Sequence, residues 1–248
     1  MKCLTTLLVL TLAGWGLARA ETVQVAVASN FAAPMQKIVA AFEKDTGHKT
    51  ALSLGATGKF YAQVRNGAPF AVLLAADDET PARMQKEGLA VTGSAFTYAI
   101  GQLVLWSADS SVVDAQGAVL NAPLNGKLAL ADPKLAPYGA AALQVLQQRG
   151  LADKLRPHFV LGENIAQTFQ FVKTGNASMG FVALSQVMQD GKVTSGSAWL
   201  VPAALHEPIR QDAVLLRQGA DNPAAKALLQ YLRTDAARAV IRAYGYSV

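Results

Sequence analysis

The stretch that decides the fold is residues 23–31, Val-Gln-Val-Ala-Val-Ala-Ser-Asn-Phe, an apolar run followed by two polar residues and then Phe31. The apolar run predicts a buried strand. Phe31, Met35, Ile38 and Phe42 recur at the spacing of one face of an amphipathic helix. A strand that leads through a short turn into a helix is the first half of a βαβ unit. This stretch therefore predicts an α/β fold.

The same pattern recurs along the chain. Residues 49–54 and 70–76 predict two further strands, each followed by a helix, the first ending at Asn66-Gly67 and the second at about Gly88. This alternation favours parallel strands joined by right-handed crossovers. Later segments continue it, with strands predicted at 127–131 and 179–184 and helices at 138–148, 163–173, 223–232 and from 234 onward.

Two long apolar segments, residues 96–107 and 209–216, contain little turn chemistry. We interpret them as strands that cross between two lobes, which makes the domains discontinuous. The predicted lobe I comprises residues 21–100 plus 206–248, and the predicted lobe II comprises residues 101–205.

Residues 1–20 predict a secretory signal peptide. Lys2 precedes an apolar run, and Ala18-Arg19-Ala20 provides a small-residue cleavage site. A membrane anchor is the alternative, but the run is shorter than the roughly 20 residues that span a bilayer. The single cysteine, Cys3, lies in this segment, so we expect a periplasmic mature chain without thiols.

The charge balance is only mildly basic. The net charge is +5, and removal of Lys2 and Arg19 with the signal segment lowers it to +3. The remaining lysines and arginines are scattered singly, which excludes a nucleic-acid surface. A mild positive balance weakly favours an anionic ligand.

Two turns are candidate ligand sites, because each follows a predicted strand and opens a helix. Ser29-Asn30 forms the first, and residues 54–59, Leu-Gly-Ala-Thr-Gly-Lys, form the second. Helix starts expose free N–H groups and a partial positive charge, which suit an anion. Ser, Asn and Thr are also ordinary helix caps, so each turn alone is ambiguous. Two of them at successive strand ends favour an anion site.

Other motifs give little support for nucleotide binding or catalysis. Residues 55–59 are not a P-loop, because Ser53 stands where the motif needs Gly and Phe60 where it needs Ser or Thr. Asp77-Asp78 is more typical of a helix cap than of an acid–base pair.

The histidines, His48, His158 and His206, lie in turn-like contexts without a hydrolase or metalloprotease motif. We therefore predict no enzyme, no catalytic residues and no cofactor. A secreted hydrolase using Ser29 is one alternative, and a sensor or scaffold domain without a tight small ligand is another.

Six stretches together carry a family resemblance, and their order spans the mature chain. The chain resembles the periplasmic molybdate-binding proteins of ABC importers, which are type II periplasmic substrate-binding proteins. The resemblance implies two α/β lobes, each a mainly parallel sheet flanked by helices, that close on an anion. The matching stretches are residues 25–31, 53–59, 66–78, 131–139, 162–165 and 242–246.

The resemblance also implies ligand-binding residues. Ser29 and Thr57 match hydroxyl-bearing turns, with Asn30 adjacent, and Tyr138 and Ile165 match backbone N–H donors. Ala56 is a further candidate. Ala183 stands where some family members place a Tyr hydroxyl on the ligand, which leaves one donor unaccounted for.

We therefore expect high-affinity periplasmic binding of molybdate or tungstate by a monomer, and delivery to the membrane permease of an ABC importer. The metal would be bound as its oxyanion, with no residue acting as a direct cation ligand. We expect four or more neutral donors and no Lys or Arg in contact. Sulfate or chromate binding is the alternative within this class, whereas phosphate is disfavoured because donors alone select a fully deprotonated anion.

Overall fold

The computed structural model describes residues 21–189 and 191–248, so the predicted signal peptide at residues 1–20 lies outside the described residues. Within them the chain forms two five-stranded sheets and one small hairpin. The strands are β1 Thr22–Ala28, β2 Lys49–Gly55, β3 Val72–Leu74, β4 Phe96–Gly101, β5 Leu103–Ser107, β6 Leu128–Ala131, β7 Phe159–Gly162, β8 Met179–Ala183, β9 Met188–Gln189, β10 Lys192–Val193, β11 Ser197–Leu200 and β12 Ile209–Leu215.

Helices pack against both sheets. The helices are α1 Ala32–Thr46, α2 Thr57–Arg65, α3 Glu79–Lys86, α4 Pro137–Gln148, α5 Ala152–Leu155, α6 Ile165–Lys173, α7 Leu184–Val187, α8 Pro223–Tyr231 and α9 Asp235–Ala243. Helices α1, α2, α3, α8 and α9 lie on the first sheet or on one another, and this unit is lobe I. Helices α4 to α7 belong with the second sheet, and this unit is lobe II.

The two sheets have matching topologies. Lobe I has the order β2-β1-β3-β12-β4, and lobe II has the order β11-β5-β8-β6-β7. In each, three strands run parallel, and the remaining pairings, which involve β12 in lobe I and β5 in lobe II, are antiparallel. The two-lobed α/β architecture is confirmed. Four of the five strands in each described sheet run in the same direction, because only β12 in lobe I and β5 in lobe II run against the others.

The lobes are joined by two adjacent strands. The predicted extended segment 96–107 divides into β4 in lobe I and β5 in lobe II, with only Gln102 between them. Strand β12 returns the chain to lobe I and pairs with β4 as far as Gly101, opposite Ile209. The assignment of β4 and β12 to lobe I and of β5 to lobe II supports lobe boundaries near 100/101 and 205/206. The exact boundaries stay a prediction.

Each lobe has a buried core that matches the sequence pattern. In lobe I, Phe31, Met35, Ile38 and Phe42 are all buried, so the helical stripe is confirmed. In lobe II, α4 packs on β5, β6 and β8 through a separate apolar cluster that includes Tyr138.

Side-chain caps begin three of the described helices. Asn222 and Thr234 cap α8 and α9 with their side chains. The helix predicted from Glu163 starts instead at Ile165, because the Asn164 side chain caps it by accepting from the first-turn N–H groups. In the part of the chain that the structure describes, no helix is both long enough and apolar enough to cross a membrane.

Gly139 allows the first turn of α4 to lie directly on the end of β6. A Cβ built on Gly139 would overlap the carbonyl oxygen of Ala131 and crowd the backbone of Asp132. We expect Gly139→Ala to lower the free energy of unfolding by about 1–3 kcal/mol through overpacking, measured by urea denaturation. The exposed Gln147→Ala on the same helix should stay within about 0.5 kcal/mol of the parent. If Gly139→Ala is as stable as the parent protein, Gly139 does not approach the Ala131 carbonyl as closely as described.

Candidate functional site

A small pocket lies between the lobes where strand ends and helix starts meet. The pocket is lined by every predicted site residue except Ala183. The lining residues are Ala28, Ser29, Asn30, Gly55, Ala56, Thr57, Ala76, Ala136, Pro137, Tyr138, Asn164 and Ile165. None of these described lining residues is Lys, Arg, Asp or Glu, so the pocket is lined by neutral groups.

The Thr57 hydroxyl is held in one orientation. Thr57 is 1% exposed, and its Oγ1 accepts a hydrogen bond from the backbone N–H of Ala76 at 2.9 Å. Because this bond uses Oγ1 as an acceptor, the hydroxyl hydrogen stays available for another partner. Thr57 is thus a prepared donor at the pocket wall.

The Ser29 hydroxyl lies at the contact between the lobes. Its Oγ donates to Asn164 Oδ1 at 3.3 Å and accepts from the Ala166 N–H at 3.4 Å. Ser29 belongs to lobe I, and both partners belong to the start of α6 in lobe II. These two bonds are long and weak, so an acceptor with a stronger field can redirect the hydroxyl.

Asn164 lines the pocket but was missed as a site residue. Its Oδ1 accepts from the N–H groups of Ala166 and Gln167, both at 3.0 Å, and so caps α6. The available signal was an Asn placed just before a helical pattern, which is a preferred N-cap. The cap aligns α6 so that its first residue, Ile165, faces the pocket.

Three helices begin at the pocket. Thr57 is the first residue of α2, Tyr138 the second of α4 and Ile165 the first of α6, and Ala56 is the N-cap of α2. N–H groups in a first helical turn have no intrahelical acceptor, and each helix start carries about half a positive charge. The pocket therefore offers N–H donors and positive potential without a charged side chain.

The Asn30 side chain does not donate into the pocket. Its Nδ2 donates to Gln211 Oε1 at 2.8 Å and to the Tyr246 hydroxyl at 3.0 Å, which uses both amide hydrogens. Asn30 can contribute a donor to the pocket through its backbone N–H only. Its carbonyl in turn accepts from the hydroxyls of Ser185 and Tyr246.

The Tyr138 hydroxyl is likewise engaged behind the pocket. It accepts from Gln211 Nε2 at 3.0 Å, and Gly101 is so close that a Cβ there would overlap it. The hydroxyl thus lies at the strands that join the lobes. The backbone N–H of Tyr138 remains the group that can serve the pocket.

Three tyrosine hydroxyls lie in this buried network. Burial raises the pKa of Tyr98 and of Tyr138 well above the usual value, and raises the pKa of Tyr246 to about 12. All three stay neutral at any physiological pH, so the network adds no charge next to the pocket.

Ala183 lies outside the pocket lining. It is fully buried in the core of lobe II, and its N–H donates to Gln186 Oε1 at 2.9 Å. Gln186 Nε2 then donates to the Ile165 carbonyl at 3.0 Å. Ala183 is therefore linked through Gln186 to the start of α6.

A wider cleft, with a volume of about 610 Å³, adjoins this pocket. Asp77 in its wall caps the start of α3, where its Oδ1 accepts from the Thr80 N–H at 2.8 Å. Burial raises the pKa of the Asp77 carboxyl above its ordinary value. Across residues 21–189 and 191–248, no cluster of three or more His, Cys, Asp or Glu side chains could hold a metal ion.

The histidines are engaged elsewhere. His48 accepts from the Glu21 N–H, and His158 and His206 lie against the carbonyls of Gly126 and Glu207. Among the described residues, none of the three is hydrogen bonded to Ser29. The Ser29 hydroxyl is instead hydrogen bonded to Asn164 Oδ1 and the Ala166 N–H.

Two direct contacts tie the lobes together beside the pocket. Lys59 Nζ on α2 and Glu163 Oε2, which precedes α6, form an ion pair at 2.6 Å. The Gly58 N–H donates to the Leu135 carbonyl at 3.0 Å. Both contacts start from the first turn of α2, next to Thr57.

Two α/β lobes that are joined by paired strands and meet around a small, neutral, donor-lined pocket define a two-lobed solute-binding protein. The family comparison agrees. The chain belongs to the bacterial extracellular solute-binding protein family, whose model matches residues 23–247. It is a binding protein and not an enzyme.

Similar proteins cover almost the whole chain. Molybdate-binding protein ModA of Azotobacter vinelandii is 60% identical over 93% of this chain and 92% of its own, and ModA of Rhodobacter capsulatus is 52% identical over 92% and 89%. The solved structure of an Azotobacter vinelandii periplasmic molybdate-binding protein superposes with a TM-score of 0.88. It is 40% identical over 91% of this chain and 99% of its own.

The buried tyrosines predict a loss of stability in alkali. In the unfolded chain a tyrosine ionises near pH 10, whereas the folded chain retains these protons, to about pH 12 for Tyr246. Above pH 10 the unfolded state therefore binds fewer protons, and the free energy of unfolding falls by up to about 1.4 kcal/mol per pH unit and tyrosine. Urea denaturation from pH 8 to about pH 12 should show a shallower fall for Tyr246→Phe. An identical slope would show that Tyr246 ionises equally in both states.

The ion pair between the lobes predicts a small, salt-sensitive coupling. Lys59 and Glu163 are 40% and 63% exposed, so water and ions screen their attraction. A double-mutant cycle with Lys59→Met and Glu163→Gln should give a coupling free energy of unfolding of no more than about 1 kcal/mol. The coupling should vanish near about 1 M salt. A coupling free energy that stays unchanged in high salt would contradict a screened surface ion pair.

Proposed function

We propose that this protein binds molybdate, or the nearly isosteric tungstate, in the pocket between its lobes. The observation that carries the proposal is the Thr57 hydroxyl, which the Ala76 N–H holds as a donor toward a pocket lined only by neutral groups. The relatives named molybdate-binding protein ModA, at 60% and 52% identity, supply the identity of the anion.

Neutral donors suit a doubly charged oxyanion. An anion that loses its water must regain hydrogen bonds, or desolvation would cost many kcal/mol. Hydroxyls and first-turn N–H groups supply these bonds, and three helix starts supply positive potential. Backbone N–H groups cannot accept a hydrogen bond, and the Thr57 and Ser29 oxygens already accept one each from the N–H groups of Ala76 and Ala166. A protonated anion such as phosphate near neutral pH therefore finds few acceptors and should fit poorly.

The proposed contacts come from both lobes. Lobe I would contribute the hydroxyls of Ser29 and Thr57 and the backbone N–H of Asn30, and lobe II the backbone N–H groups of Tyr138 and Ile165. The N–H of Ala56 at the start of α2 is a weaker candidate. The geometry gives no support for Ala183 as a direct contact.

We also propose that the protein works as a monomer in the periplasm, after export through a signal peptide at residues 1–20, and delivers its anion to the permease of an ABC importer. The family and the relatives support this setting. Closure of the lobes on the anion would distinguish loaded from unloaded protein, because a ligand with higher affinity for the closed state shifts the population toward it.

A thermal-shift panel tests the proposed ligand. Molybdate and tungstate should raise the melting temperature, because a ligand that binds only the folded state stabilises it. Sulfate and chromate should raise it less, and phosphate least. A larger shift with sulfate would reassign the pocket to that anion, and no shift with any anion would contradict oxyanion binding.

Substitution of Thr57 tests whether this residue belongs to the proposed molybdate site. Thr57→Ala should weaken molybdate binding by about 1–3 kcal/mol, since it removes one buried donor. Thr57→Ser keeps the hydroxyl and should retain most of the affinity, as measured by calorimetry. Equal affinity in Thr57→Ala and the parent would remove Thr57 from the site.

A further inference from the structure

Gly58 lies at a backbone-to-backbone contact between the lobes. Its backbone N–H, in lobe I, donates to the Leu135 carbonyl of lobe II at 3.0 Å. A Cβ built on Gly58 would lie 3.2 Å from the Leu135 carbonyl oxygen and 3.3 Å from its Cα. Both neighbours are backbone atoms, so they cannot turn aside as a flexible side chain could.

This contact joins two of the proposed donor turns. Gly58 follows Thr57 in the first turn of α2, and Leu135 lies just before Pro137, the first residue of α4. A hydrogen bond between Gly58 and Leu135 therefore fixes the distance from the Thr57 hydroxyl to the Tyr138 N–H. Its two ends lie in different lobes, so the bond also links the lobes directly beside the pocket.

We propose that Gly58 is a specificity-determining residue, whose missing side chain sets how closely the lobes approach and thereby which size of oxyanion the pocket holds. This inference rests on the proposed function. Gly58 would not contact the anion, since its N–H is already used by Leu135. It would act by positioning Thr57 against Tyr138.

The size of the anion matters because hydrogen bonds lose strength quickly with distance and angle. Tetrahedral oxyanions share a charge and a shape but differ in bond length, with sulfate the smallest, chromate intermediate and molybdate larger. A cage closed to the right separation can reach all oxygens of molybdate from both lobes. A smaller anion can satisfy the donors of only one lobe at a time.

Gly58→Ala tests this directly. The added methyl group should hold the lobes a few tenths of an ångström further apart. Calorimetry should show molybdate affinity falling by about tenfold, the effect of losing roughly one buried hydrogen bond. Chromate affinity should fall by less, because chromate depends less on both lobes, so the preference for molybdate over chromate narrows.

The stability of the ligand-free variant distinguishes a positioning role of Gly58 from a role in folding. Ala is a better helix former than Gly, so Gly58→Ala should melt at the same or a higher temperature without ligand. Gly58→Ser carries the same Cβ and should show the same loss of preference. Gln63→Ala, an exposed change on the same helix, should leave affinity and preference unchanged.

The outcomes are distinct. If the parent protein binds none of the oxyanions, the proposed function fails. If the parent binds molybdate and both Gly58 variants keep its affinity and preference, the role of Gly58 is overturned while the function stands. A Gly58→Ala variant that loses both molybdate affinity and ligand-free stability would also overturn the proposed role of Gly58, because Gly58 would then be needed for folding.

Discussion

The Gln211 side chain is the connection on which the arrangement of the cleft depends. It is fully buried on β12, where Oε1 accepts from Asn30 and Tyr98 and Nε2 donates to Tyr138. Asn30 belongs to the first donor turn of lobe I and Tyr138 to the helix start of lobe II. One amide on a connecting strand thus positions both walls of the pocket, and leaving any of these buried groups without a partner would cost about 1–3 kcal/mol.

The network also separates two tasks that could conflict. Behind the pocket, Gln211 bonds to Asn30 and Tyr138, and Asn30 bonds to Tyr246, so these side chains satisfy one another at the joint between the lobes. At the pocket, backbone N–H groups and the hydroxyls of Ser29 and Thr57 remain to receive a ligand. Because no donor in the wall is ionisable near neutral pH, the proposed affinity for a fully deprotonated anion would depend on geometry more than on charge.

The local part of this design could be predicted from the sequence. The turns at Ser29 and Thr57 follow apolar strands and open helices, and both line the pocket. The Gln211 network could not be predicted, since Asn30 and Gln211 are separated by 181 residues and neither has a local pattern that marks a partner. The crossing of residues 96–107 between the lobes was predicted, but the break at Gln102 that divides the segment into β4 and β5 was not, because a continuous apolar run does not show where one strand ends and the next begins.

The position of β12 has a consequence for how the molecule is assembled. This strand lies between β3 and β4, so β4 has no neighbour in the lobe I sheet until residues 209–215 are present. All strands of the lobe II sheet lie earlier in the chain, between residues 103 and 200. A chain that emerges from its N-terminus can therefore complete the second lobe before the first, and lobe I closes only through contacts that are distant in sequence, which form slowly.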